Sequence, residues 1–167
     1  GVIIDRRLAN FSSTNVDGLD FNVGYSKDTE LGLFSVESAG SYLFNFNEQI
    51  FSSAPEVSTL NTFGNPIDLR LRNSISWTNN GLSAAIFVNH AASYVDDDSV
   101  PENKIDAFTT VDLTLSYDTG NDIGNSVLKN TRFTFSALNL LDQNPPFVDQ
   151  FRDINFDPAN ASPVGRF

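Results

Sequence analysis

The chain has 167 residues, the length of one ordinary domain, and its 10 Lys+Arg against 21 Asp+Glu give a formal charge of −11. It carries no basic cluster, so the electrostatic footprint of a nucleic-acid binder is absent. With no cysteine it can form neither a disulfide framework nor a thiolate metal site, and it has no apolar run of roughly 18 residues that would make a transmembrane helix.

It also has no methionine and opens at Gly1, and no basic-then-apolar leader is present. A processed product or a fragment is the expectation. Fifteen Phe and four Tyr at a mean hydropathy of −0.18 fit a sheet that is apolar on one side only. Helical periodicity is missing over any window of a dozen residues.

About seven strand signals follow one another, over 2–9, 16–27, 32–51, 67–78, 81–95, 106–118 and 127–141. In the second, Leu19, Phe21, Val23 and Tyr25 alternate with Asp20, Asn22, Gly24 and Ser26, and Lys27-Asp28-Thr29-Glu30 makes a turn. In the fourth, Ile67, Leu69, Leu71, Ile75 and Trp77 alternate with Asp68, Arg70, Arg72, Ser74 and Ser76. Asn79-Asn80-Gly81 then gives a hairpin signal, because φ > 0 is cheap for Asn and Gly. In the sixth, Val111, Leu113, Leu115 and Tyr117 alternate with Asp112, Thr114, Ser116 and Asp118, and a Gly/Asn-rich turn runs over 119–126.

Three of these strands end on an outward aromatic beside a short turn. Tyr25, Trp77 and Tyr117 would form one aromatic girdle, and Tyr42, Phe44 and Tyr94 could belong to another at the opposite end. The loops at that opposite end, 52–66, 96–105 and 142–167, are long. One apolar face, aromatic edges and short turns against long loops describe the wall of a transmembrane β-barrel. Most of the strands also exceed the soluble norm of about five or six residues and reach the roughly 9–11 that cross a bilayer. A soluble sandwich also alternates, and a secreted carbohydrate-binding sandwich is the alternative reading.

The C-terminal third carries a more specific pattern. Phe133-Thr134-Phe135-Ser136-Ala137-Leu138-Asn139-Leu140-Leu141-Asp142 is followed by Asn144-Pro145-Pro146-Phe147-Val148, and then by Phe156-Asp157-Pro158-Ala159-Asn160-Ala161-Ser162-Pro163-Val164-Gly165-Arg166-Phe167. This resembles the end of the barrel in TonB-dependent outer-membrane receptors. Val16-Asp17-Gly18-Leu19-Asp20 is similar to a strand start of that family, and Lys104-Ile105-Asp106-Ala107-Phe108-Thr109-Thr110-Val111-Asp112 to its approach to a late strand. Pro145, Pro146, Pro158 and Pro163 cannot donate to a ladder and belong in an external loop.

The resemblance implies an all-β antiparallel meander that forms part of a barrel. Residues 1–167 would be a partial barrel domain, with the plug domain, its energy-coupling TonB box and the last strand outside this chain. It implies a receptor and transporter in the outer membrane, in contact with lipid, that takes up a scarce ligand (siderophore, cobalamin, oligosaccharide or peptide) with energy from TonB.

Against that background, no catalytic, cofactor-binding or metal-binding residue is assigned, and the chain is read as not an enzyme. His90 with Ser93 or an Asp of 96–98 is the one catalytic pairing worth testing, and an outer-membrane barrel enzyme would need it; a lone interfacial His is the ordinary reading. Asp96-Asp97-Asp98 with Glu102 could hold Ca²⁺ but lacks an EF-hand spacing, and reads as a solvated charge run. Arg70 and Arg72 share a face with Asp68, Asp20, Glu37 and Asp112, where an ion-pair network along the lumen wall is the expectation and a substrate path the alternative. Phe51, Phe63, Phe147, Phe151 and Phe156 could grip a ligand or pack among themselves.

Overall fold

The computed structural model of the protein describes residues 13–51, 53–120, 127–149 and 155–165. Among these residues nine strands appear: β1 (Ser13–Thr29), β2 (Gly32–Gln49), β3 (Val57–Ser58), β4 (Leu69–Asn79), β5 (Leu82–Ala91), β6 (Tyr94–Asp96), β7 (Asn103–Ile105), β8 (Phe108–Asp118) and β9 (Arg132–Ala137). No helix occurs among the described residues. The strand signal over 2–9 lies outside them.

The main sheet is an antiparallel meander in the order β1-β2-β4-β5-β8-β9, with the short β3 paired to β2. It is an open sheet, with β1 and β9 at its edges among the described residues. β6 and β7 form a separate hairpin.

The turns explain the short connections. β1 and β2 pair up to Thr29 and Gly32, leaving Glu30-Leu31 as a two-residue link. The Thr29 hydroxyl accepts from the Leu31 amide at 3.2 Å and donates to the Gly32 carbonyl at 2.7 Å. Gly32 has φ 113°, and a Cβ there would run into the Thr78 carbonyl of the next hairpin. β4 and β5 are joined by Asn80-Gly81, with φ of 46° and 82°. Positive φ at both central residues matches the right-handed twist of the flanking strands. The Trp77 indole donates to the Leu31 carbonyl at 2.8 Å, which ties the two tight turns together.

The register sorts the side chains as the alternation requires. Leu19, Phe21, Val23, Leu69, Leu71, Leu113 and Leu115 fall on one face, and Arg70, Arg72 and Asp112 on the other. Among the described residues no second layer covers the apolar face. Val23 is 67% exposed, Ile75 60% and Phe135 60%. Near the start of β1 the register shifts between Asp17 and Gly18. There Asn45 donates to Asp17 at 3.5 Å, and the apolar face gives way to polar side chains.

Two expectations are corrected. The last strand is shorter than 127–141, because Asn130, Asn139 and Asp142 take positive φ and turn the chain on both sides of Arg132–Ala137. The long loops are also folded. Ile67, Ala91, Tyr94, Ile105 and Val148 form a buried cluster at the loop end, with Phe63 and Phe108 packed against it. Tyr94 is therefore buried beneath the loops and is no part of an outer aromatic girdle. Tyr42 and Phe44 do stand exposed there, edge to face with ring centroids 5.4 Å apart.

Candidate functional site

The polar face bears an open groove of about 680 Å³ at the loop end. Its floor is set by cross-strand neighbours. Arg70 lies between Ser41 on β2 and Ala91 on β5, and Arg72 between Ala39 and Asn89. Small residues beside two long ones leave the space open. Phe108 and Thr110 of β8 and the segment Pro158–Ser162 complete the walls, with Asp20 on the β1 side.

The segment over the groove is held by a polar clasp. Asp157, almost fully buried, accepts from the Gly64 amide at 3.1 Å, the Ala159 amide at 2.9 Å and the Asn160 side-chain amide at 2.7 Å. Asn160 also donates to the Asn65 carbonyl at 2.9 Å and accepts from the Arg70 guanidinium. Arg70 donates to the Ala159 carbonyl at 3.0 Å. A buried carboxylate persists when donors surround it, and here they come from its own turn and from Gly64, 93 residues away. The Tyr94 phenol faces this carboxylate. Burial, and then the Asp157 charge and its hydrogen bond, push the phenol well above its ordinary pKa.

Among the described residues the expected ion-pair network between Arg70, Arg72 and the carboxylates does not form. Arg72 donates to the Asn89 side-chain amide oxygen at 2.5 Å and lies over the Phe87 ring, 4.5 Å from its centroid. Asn89 in turn donates to Asp112 at 2.8 Å and to Thr110 at 3.2 Å. The other Asp112 oxygen accepts from the Asn139 amide at 2.9 Å. Glu37 accepts from Asn22 at 2.9 Å. The ion pair seen among the described residues, Arg132–Asp118 at 3.1 Å, lies at the opposite end of the sheet.

The other candidates do not converge. His90 hydrogen-bonds the Thr109 hydroxyl at 2.8 Å on the apolar face, rather than Ser93. Asp96 is buried and accepts from Ser99 at 2.6 Å. Among the described residues, no three His, Cys, Asp or Glu side chains come close enough to hold a metal. Phe63 packs into the loop-end cluster, whereas Phe51 and Phe147 are exposed; Phe151 lies outside the described residues.

Sequence reasoning missed the clasp and the role of Asn139. Asp157-Pro158-Ala159-Asn160 had the composition of an Asx turn, which was the available signal. Asn139 is buried with φ 51°. It closes the turn after β9 by donating to the Gln143 carbonyl and accepting from the Gln143 amide, at 3.0 and 2.9 Å. No family of known proteins, no curated protein and no solved structure matches the chain.

Proposed function

We propose that this chain is a stretch of the wall of a transmembrane β-barrel, and that the barrel is an outer-membrane receptor of the TonB-dependent kind that imports a scarce ligand. Its part in that protein is containment and ligand passage, not catalysis. The observation that carries the reading is the uncovered apolar face, bounded at the turn end by Tyr25, Trp77 and Tyr117 and at the loop end by Tyr42 and Phe44.

The dimensions support it. From Phe34 to Phe44 along β2 is ten residue steps, about 33 Å of strand at roughly 3.3 Å each. At a barrel tilt of about 40° this spans about 25 Å, the height of an outer-membrane apolar band. Apolar side chains in that number cost too much to leave in water, and amphipathic rings belong at the headgroup level. The receptor assignment within the barrel class rests on the resemblance of the segments 133–148 and 156–167.

Brominated lipids test the reading. Phospholipid vesicles brominated along the acyl chain should quench the fluorescence of Trp77 in the reconstituted protein, most strongly with bromines near the headgroup. A Trp77 that no bromine position quenches, in a chain that is monomeric without detergent, would refute it.

A further inference from the structure

We propose that the groove over Arg70 and Arg72 is a binding site for a small organic anion carrying two carboxylates. The two arginines are spaced by one residue on β4, so they project from the same face about 6–7 Å apart along the strand. Both line the groove. Each is positioned by neutral acceptors: Arg70 by the Ala159 carbonyl and the Asn160 amide oxygen, Arg72 by the Asn89 amide oxygen and the Phe87 ring. Neutral acceptors orient a guanidinium without cancelling its charge. Asn89 also holds Asp112 on its far side, so the nearest carboxylate on β8 is spent on Asn89 and on the Asn139 amide.

Two fixed guanidinium groups, neither in direct contact with a carboxylate although Asp157 and Asp112 each stand one Asn side chain away, match carboxylates in a planar, forked geometry that an ammonium cannot offer. Asp20 is the opposing charge of the groove. It lies across Ser41 from Arg70 and disfavours a third carboxylate on the β1 side. The open groove of about 680 Å³ has room for a molecule of a few carbon atoms. A chain of net charge −11 repels anions at long range, so the site selects at contact and binding is expected to be weak and salt-sensitive.

The proposal names the ligand chemistry of the receptor reading and takes its biological sense from it, but the binding test does not depend on that reading. The protein in detergent micelles is titrated with glutarate by calorimetry, beside butyrate, with one carboxylate, and dimethyl glutarate, with none. Glutarate should bind, butyrate more weakly and the diester not at all. Arg72→Gln should weaken glutarate roughly tenfold, the loss of one charge-assisted contact. Arg72→Lys should recover only part of it, and Arg132→Gln, at the other end of the sheet, should change nothing. Arg72 is the variant of choice because Arg70 also holds the clasp. Undetectable glutarate binding by the folded protein, equal binding by Arg72→Gln, or equal binding of the diester would overturn the proposal. A chain that binds glutarate yet folds as a soluble monomer would instead overturn the barrel reading alone.

Discussion

Arg72 and Asp112 face the same side of the sheet two strands apart, and the side-chain amide of Asn89 stands between them, accepting from one and donating to the other. A direct ion pair could collapse across the strands; an intervening amide fixes both charges at a set distance. Replacing Asn89 with Ala removes hydrogen bonds to Arg72, Thr110 and Asp112 together. The expected cost is about 1–3 kcal/mol, since two of the partners are charged, read as a lower midpoint in denaturant titration of the protein in micelles. Asn89→Asp should restore the Arg72 contact but place two carboxylates side by side, and so should rescue little.

Neighbouring positions on one strand should differ sharply in their tolerance of charge. Ile86 lies on the apolar face between Ile75 and Leu113, and Ala85 on the polar face between Ser76 and Thr114. Ile86→Arg is expected to cost about 2–4 kcal/mol of folding free energy in phospholipid vesicles, and Ala85→Arg far less. Equal costs would remove the argument that lipid covers one face only.

The clasp gives a local prediction. Asp157→Ala leaves the Gly64 and Ala159 amides without their acceptor and takes one of two acceptors from the Asn160 side chain, at about 1–3 kcal/mol for each buried donor stranded. Brief digestion with a nonspecific protease should then cut within 155–165 much faster than in the parent protein, while the β1–β2 hairpin stays protected. Protection of 155–165 equal to the parent's would show that the apolar cluster alone holds the loops.

Alkaline pH should release the same region. The folded Tyr94 phenol keeps its proton beyond the point at which an unfolded phenol, with its ordinary value of 10, has lost it. Its contribution is therefore complete below pH 10 and declines as pH rises above that value. Near-UV circular dichroism should show a loop-end transition above pH 10 that Tyr94→Phe abolishes. A transition unchanged in Tyr94→Phe would assign it to another group.

Much of the sheet was legible because a strand's faces follow from a period of two. Val23 and Arg72 were assigned to opposite faces from parity alone, and the Asn80-Gly81 turn from its backbone tolerance. The loop end was not legible. Tyr94 continues the rhythm of β5, and nothing local marks the break at Ala92-Ser93 that sends it under the loops. Ile105 and Val148 meet only because chain far apart in sequence folds back over Ile67. The groove was half legible: the two arginines were found, but their partners Asn89, Ala159 and Asn160 depend on pairing and on the clasp.

In the main sheet every long strand pairs with the long strand nearest it in sequence, whereas the clasp joins Gly64 to Asp157 and Asn65 to Asn160, 93 and 95 residues apart. The two parts therefore run on different clocks. Hairpins close over short loops in microseconds and can be added one at a time, but a closure spanning most of the chain forfeits more entropy and is rewarded only when its binding surface already exists. The wall is therefore expected to assemble from the turns outward, and the Pro158–Ser162 side of the groove only after the strands that form its floor.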